Sequence, residues 1–395
     1  MSFKKRSLIF PIYLPSLLLT AAEGALLPVL PVSAVGYGLG LAEAAIVTTV
    51  LLVSVMVFEV PASWITTRIG ERRAMISATV SATLFLVFAF LNLGYWALLL
   101  AAAGFGASYS LFGLSRHTLL AHLAQGPNRA RAMSLLGGMF RGGWAIGPVI
   151  GAGFIAAFGL ESAYLAAMLM SVGAGLSIAM VKPEKFKAQA SGQNGNVWAV
   201  AKREAPKLLT LGVASGIISG ARAIRMIGLP LLAVSLGIDA ATSSFIFGIT
   251  GFIDFALFYL SGIIMDKYGK FWSSVPTLVM LGTAYLFSFM VTDLFSFWML
   301  ASVTALANAL SAGINMVLGA DLAPDGSRSE FLASFRLLTS GGSAVAPALI
   351  SVLTALISLP AALAITGLGN FLGAYLFWRY LPKYAPDKKQ QPLSE

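Results

Sequence analysis

Twelve runs of apolar residues dominate the chain, near 8–34, 44–65, 74–93, 96–120, 132–157, 162–181, 208–234, 241–264, 273–292, 295–319, 331–357 and 360–378. A helix needs about 20 apolar residues to cross the hydrocarbon core of a bilayer, so each run is long enough to span. Inside that core only helices and closed barrels satisfy their own backbone groups. Runs of this length are helices, and the fold expected is an all-α membrane protein. Composition agrees: 58% of the 395 residues are hydrophobic and 11% charged, against roughly 45–50% and 25% in soluble domains. Lys4-Lys5-Arg6 before the first run mimics a secretory signal. The run is too long for one and carries Pro11, Pro15, Pro28 and Pro31, so it reads as a first transmembrane helix.

The net charge of +10 would suit nucleic acid, but the cations lie in short loops between the runs. With the N-terminus inside, 21 of the 26 Lys and Arg fall on the cytoplasmic side, five lie within spans and none lies in an outer turn. Outer turns carry acids, such as Glu161, Asp239 and Asp293. This asymmetry follows the positive-inside rule and places both termini in the cytoplasm. No nucleic-acid role is expected. Cys is absent and His117 and His122 are the only histidines, so neither thiol chemistry nor a metal site is indicated.

The two halves repeat at a constant offset of 199 residues. Leu30-Pro31 matches Leu229-Pro230, Gly38 matches Gly237, and Arg68-Ile69-Gly70 matches Lys267-Tyr268-Gly269. Ala121-His122-Leu123-Ala124 matches Ala320-Asp321-Leu322-Ala323, and Gly142, Gly143 and Pro148 match Gly341, Gly342 and Pro347. Six spans repeated in one orientation form a parallel repeat, an architecture that binds its substrate near the midplane where the repeats meet. The expected organisation is a six-helix half over 1–182, a cytoplasmic linker over 183–206, a second half over 207–382 and a disordered tail over 383–395.

Between spans 8 and 9, Gly262-Ile-Ile-Met-Asp266-Lys267-Tyr-Gly269-Lys270 resembles the loop signature of the major facilitator superfamily. The copy between spans 2 and 3 keeps Arg68, Gly70 and Arg72 but has Ser63 for the glycine and Thr67 for the acid. Span 5 carries Gly143-x3-Gly147-Pro148-x2-Gly151, similar to the glycine motif of the antiporters in that superfamily. Pro28-Val29-Leu30-Pro31 in span 1 resembles a signature of twelve-span drug:proton antiporters. Glycines four apart also let helix backbones approach, which is the simpler account of the stripe. A third family motif is broken: before Gly104-Phe-Gly106-Ala107 the expected arginine is Leu100. The resemblance implies a major facilitator fold, alternating access and export, with any proton carried by other residues.

Charges within spans are expensive and mark cavities or ion pathways. Glu23 (span 1), Arg222 and Arg225 (span 7) and Asp254 (span 8) fall near the midplane, and Arg141 (span 5) lies towards the cytoplasm. Arg116, Arg336 and Glu59 sit nearer the cytoplasmic ends, where long side chains snorkel. Glu23 and Arg222 are equivalent in the repeat, and in the fold the resemblance implies, spans 1 and 7 face each other. A carboxylate poised between burial and an arginine can change protonation as a cavity opens. Glu23 and Asp254 are therefore the candidate proton carriers. Static pairing of Glu23 with Arg222 and of Asp254 with Arg225 is the structural alternative. Arg116, Arg141, Arg222, Arg225 and Arg336 are the substrate-cavity candidates, and five arginines against three acids favour an anionic, zwitterionic or amphipathic solute.

The expected function is a multi-pass, monomeric secondary transporter of the cell (inner) membrane, exporting an organic small molecule against protons. Import of a nutrient by symport or uniport, and flipping of an amphipathic lipid, are the alternatives. Without a nucleophile–base constellation, Walker sequence or metal cluster in the sequence, neither an enzyme nor a cofactor is expected.

Overall fold

The computed structural model describes residues 8–123, 128–181, 197–324 and 327–386, and every regular element among them is helical. Eleven helices are long and apolar enough to cross a membrane, and a bent pair completes a twelfth span. Large apolar side chains such as Leu84, Trp96, Phe158 and Leu372 are exposed on their outer faces. Hydrocarbon, not water, is the solvent such faces suit.

Span 1 is α1 (Leu14–Leu26), entered through a wide turn at Ile9–Tyr13, and α2 (Val29–Gly36). It breaks at Leu27–Pro28, because neither Pro28 nor Pro31 has an N–H for the turn before it. Span 2 is α3 (Leu41–Val57) and α4 (Glu59–Ile69), bent by 49°. Pro61 leaves the Val57 carbonyl without a helical donor there. The next spans are α5 (Glu71–Phe90), α6 (Tyr95–Leu123), α7 (Asn128–Phe158) and α8 (Ser162–Ala179).

The short α9 (Val197–Arg203) and α10 (Ala205–Lys207) lead into α11 (Val213–Ser235). Then come α12 (Ala240–Tyr268), α13 (Lys270–Leu286) and the broken span α14 (Leu294–Leu310) and α15 (Ile314–Leu322). The last two spans are α16 (Arg328–Leu356) and α17 (Leu359–Tyr384). Linker residues 182–196 and the tail from Asp387 lie outside the described residues. The end of the expected linker is helical: α9 packs on α16, with Arg203 donating to Ser327 Oγ at 2.7 Å. Lys383 and Tyr384, assigned to the tail by sequence, belong to α17.

Two compact units are present. Unit 1 joins Met1–Gln189 with Pro230–Phe255, and unit 2 joins Ala190–Leu229 with Ala256–Glu395. In unit 1, α1 packs against α7 and α8, and α6 against α3 and α5. In unit 2, α13 packs against α14 and α17.

The 199-residue repeat is visible in the backbone. Gly38 and Gly237 close equivalent turns at φ of 81° and 70°, and Gly70 and Gly269 close equivalent loops at 83° and 96°. Only glycine adopts this left-handed region without strain.

The glycine stripe of span 5 is a helix–helix contact. A Cβ on Gly143 would lie 2.8 Å from Thr20 Cβ and 2.9 Å from the Ala21 nitrogen, and one on Gly147 would collide with the Ala21 carbonyl. From the other side, a Cβ on Gly24 would lie 3.2 Å from Pro148 Cδ. Unit 2 repeats the crossing, with Gly342 against the Gly216 carbonyl and Gly220 against the Gly342 carbonyl at 3.0 Å. The small-residue spacing is thus accounted for by backbone approach alone.

Gly147→Ala is expected to destabilise the protein by about 1–3 kcal/mol through overpacking. Gly153→Ala, where a Cβ meets nothing within 4 Å, is expected to be neutral or slightly stabilising. Thermal unfolding in detergent compares the two, and equal melting temperatures would remove the contact from the account of the motif.

Candidate functional site

Unit 1 gathers a polar cluster around Glu23. The glycine contact holds α1 against α7 so closely that Trp144 reaches the Glu23 carboxylate, donating from Nε1 to Oε2 at 2.8 Å. Glu23 is 4% exposed. Tyr109 of α6 stands beside that carboxylate, and its hydroxyl lies 3.3 Å from that of Thr20, one turn before Glu23. Arg116 is two turns further along α6, on the face of Tyr109, within electrostatic reach of Glu23. Its guanidinium lies 4.0 Å from the Phe140 ring centroid and 5.3 Å from that of Phe112. His117 stacks on the other neighbour of that cage, with its ring 6.1 Å from Phe140.

Arg116 does not snorkel as expected. It is 1% exposed, one of the most deeply buried large side chains of the protein, and its Nε and Nη1 have no hydrogen-bond partner. Position 100, where the family motif has its arginine, is an exposed leucine. In this chain the arginine that α6 turns toward a carboxylate is Arg116.

Arg141 and Trp144 are three apart on α7 and share a face. Arg141 pairs with Asp254 of α12, Nη1 to Oδ1 at 2.6 Å, with the two side chains 14% and 7% exposed. Arg225 was the structural alternative for Asp254; the ion pair observed is with Arg141. The reason is local: Gly248 and Gly251 bring α12 onto α7, and a Cβ on Gly251 would lie 2.9 Å from Ala145 Cα.

Unit 2 holds a second cluster. Arg222 of α11 donates to the carbonyl and the hydroxyl of Ser311, where α14 ends before α15 begins. Ser273 Oγ donates to the Leu310 carbonyl at 2.6 Å and Thr277 Oγ1 to that of Ala307 at 3.1 Å. Side chains thus take up carbonyls that the broken helix leaves in an apolar medium. Asn315 donates to Ser219 Oγ at 2.9 Å. Arg225 is 4% exposed, on the turn after Arg222 and beside Tyr285, whose hydroxyl donates to the Ala221 carbonyl at 2.9 Å. Arg336 is exposed and Glu59 half-buried.

The loop motifs do local work. Gly269 carries the turn between α12 and α13, with Gly262 one helical stretch before it. Asp266 and Lys267 are exposed, and Lys267 lies 5.1 Å from the Tyr268 ring. The ion pair of this loop comes from Lys270, which meets Asp321 at 2.7 Å. In the first copy, Arg68 lies over Trp64 at 3.8 Å, and Arg72 donates to the Ile178 and Ala179 carbonyls that end α8. The side chain of His122 lies outside the described residues. No group of three metal-ligating side chains occurs among the described residues.

Sequence reasoning singled out Glu23, Arg116, Arg141, Arg222, Arg225 and Asp254 but missed Tyr109, Trp144, Ser311 and Asn315. Two signals were available: Tyr109 stands two turns before Arg116, and Asn315 stands at the repeat position of Arg116.

A backbone repeat of membrane-length helices, apolar outer faces and buried charge define a class of protein, the polytopic membrane carrier. The Major Facilitator Superfamily model matches residues 12–218 and again 211–395, so the chain belongs to that superfamily and is a multi-pass membrane transporter of small molecules. Its family and fold are those of transporters, not enzymes. Among solved structures, a POT family transporter in complex with a thioalcohol-conjugated peptide is similar, with a TM-score of 0.80 at 10% identity over 96% of this chain and 97% of that one. The nucleoside transporter NupG matches with a TM-score of 0.74 at 12% identity over 93% and 98%. A bacterial homolog of the human lysosomal transporter Spinster, inward-facing and unoccupied, matches with 0.71 at 12% over 95% of each chain. These likenesses concern the fold. No curated protein matches the chain.

Removing one partner of a buried ion pair strands the other, at a cost of about 3–5 kcal/mol. Arg141→Met is therefore expected to lower the melting temperature strongly, and adding Asp254→Leu to recover most of the loss. A double-mutant cycle by thermal unfolding checks this; additive effects would mean that the pair contributes nothing as a pair.

Proposed function

We propose that this transporter is a proton-coupled exporter of an organic, anionic or amphipathic small molecule, working by alternating access in the cell (inner) membrane with both termini cytoplasmic. The observation that carries the coupling is Glu23: a carboxylate 4% exposed, within a membrane span, held by an indole N–H, beside a phenol and within electrostatic reach of a buried guanidinium. Such a group binds a proton in one environment and releases it in another as its hydration and the distance to Arg116 change. Asp254 is the second candidate, but its tight pair with Arg141 suits a structural or gating role better. The carboxylate it presents is already neutralised.

Export rests on the resemblance of Gly143-x3-Gly147-Pro148 and Pro28-Val29-Leu30-Pro31 to antiporter signatures. The stripe's packing role weakens it as a sign of direction, since the contact would serve any carrier. Uptake by symport is the second reading, favoured by the named substrates of the similar folds, a peptide carrier and a nucleoside carrier. Glu23 would serve either direction.

The test is flux of matched anionic and cationic dyes in proteoliposomes under an imposed pH gradient, run with both polarities. Antiport predicts that the anionic dye moves opposite to the proton gradient, and symport that it moves with it. Glu23→Gln is expected to abolish gradient-driven accumulation while leaving equilibrative exchange, whereas Asp254→Asn slows both. A wild-type flux indifferent to the gradient would sink proton coupling in either direction.

A further inference from the structure

The clusters of the two units occupy the same positions of the repeat. Adding 199 to Thr20, Glu23, Tyr109, Phe112 and Arg116 gives Ser219, Arg222, Asn308, Ser311 and Asn315. The first and fourth spans of each half thus present their polar side chains at equivalent depths, but with different chemistry. The first half places an acid on its first span and a cation on its fourth. The second half places a cation on its first span and hydroxyl and amide groups on its fourth. Among the described residues, the first and fourth spans of the second half contribute no carboxylate at that level, and the acid of its second span, Asp254, pairs with Arg141.

The second cluster also has acceptors to spare. Asn315 uses its amide N–H groups on Ser219 Oγ and, at 3.4 Å, the Ser215 carbonyl, which leaves its side-chain oxygen buried without a partner. Asn308, 5% exposed, likewise has a buried side-chain oxygen with none. A buried acceptor left unmade is destabilising, and these two, on the helices that meet at Arg222 and Ser311, lack donors that a ligand could supply. Arg222 donates to the peptide carbonyl and the hydroxyl of Ser311, and a carboxylate would offer its guanidinium an opposite charge in bidentate geometry.

We propose that Arg222, Asn308, Ser311 and Asn315 form the recognition subsite for the solute, and that it takes an organic anion bearing a neighbouring N–H or O–H donor. The anion displaces Ser311 from Arg222, and the ligand's donor satisfies the asparagine oxygens. Arg225, on the same face of α11, adds positive potential. Proton handling then belongs to the first half and substrate recognition to the second. This inference rests on the transport reading above and deepens it.

The chain has no cysteine, so a single introduced thiol reports on the site without further change. Ala312→Cys stands in the break between α14 and α15. Its rates of modification by a sulfonate-bearing and a trimethylammonium-bearing methanethiosulfonate are measured in proteoliposomes, each normalised to the reagent's rate with free thiol. The sulfonate is expected to react about tenfold faster, as a focused positive potential dictates, and Arg222→Gln is expected to bring the ratio close to one. Ser219→Cys repeats the measurement from α11 should the first variant fold poorly. A preference for the cation, no reaction at either position in a folded protein, or a ratio indifferent to Arg222→Gln would overturn the subsite. Labelling needs no flux, so the two readings fail separately. Anion preference without pH-driven transport leaves the subsite and removes proton coupling, and the converse removes the subsite alone.

Discussion

Everything in this structure answers to one constraint: in hydrocarbon, water does not compete for hydrogen bonds, so each backbone group and each buried charge must find its partner within the protein. Where the helices are regular the ladder meets the demand. Where they break, side chains do. At the α14–α15 break the carbonyls of Ala307, Leu310 and Ser311 pass to Thr277, Ser273 and Arg222. At the end of α8, Arg72 takes over the carbonyls of Ile178 and Ala179. The same pressure turns the indole of Trp144 onto Glu23.

Glycine sets the geometry in which those partners can meet. α1 and α7 touch backbone to backbone through Gly24, Gly143 and Gly147, and α12 meets α7 through Gly248 and Gly251. Trp144 then lies within reach of Glu23, and Arg141 within reach of Asp254. One helix, α7, therefore serves both acids from the face beside its glycine stripe. Its Pro148 contributes as well, since the Trp144 carbonyl it cannot serve faces Gly251 at 3.0 Å from where a Cβ would stand.

Much of the fold was legible in the sequence because a span is a composition rule. Apolar runs of sufficient length are helices whatever surrounds them, and the 199-residue offset needs no structure to be seen. The bend at Phe58 was less legible, since Pro61 lies inside an otherwise even apolar run. The candidate site was half legible. Charged residues within spans announce themselves, and Glu23 and Arg222 stood out for that reason. Their partners did not, because tyrosine, tryptophan, serine and asparagine are unremarkable in a helix until a neighbour comes within bonding distance. The Arg141 partner of Asp254 was hidden for the same reason: nothing local in its sequence says that Gly248 and Gly251 open the way to α7.

The break in span 10 differs in kind from those in spans 1 and 2. Proline holds the first two open, and no rearrangement can restore a bond whose donor does not exist. Between Leu310 and Ile314 there is no proline. The N–H groups needed to close the helix are all present, and Arg222, Ser273 and Thr277 donate to its carbonyls. Such a break can heal. Drawing Arg222 away would let the ladder zip through Ser311, and because an α-turn rises about 1.5 Å per residue, α15 would shift along and rotate about its axis as it did so. A change of hydrogen-bond partner at one guanidinium would then be converted into a screw motion of a half-helix.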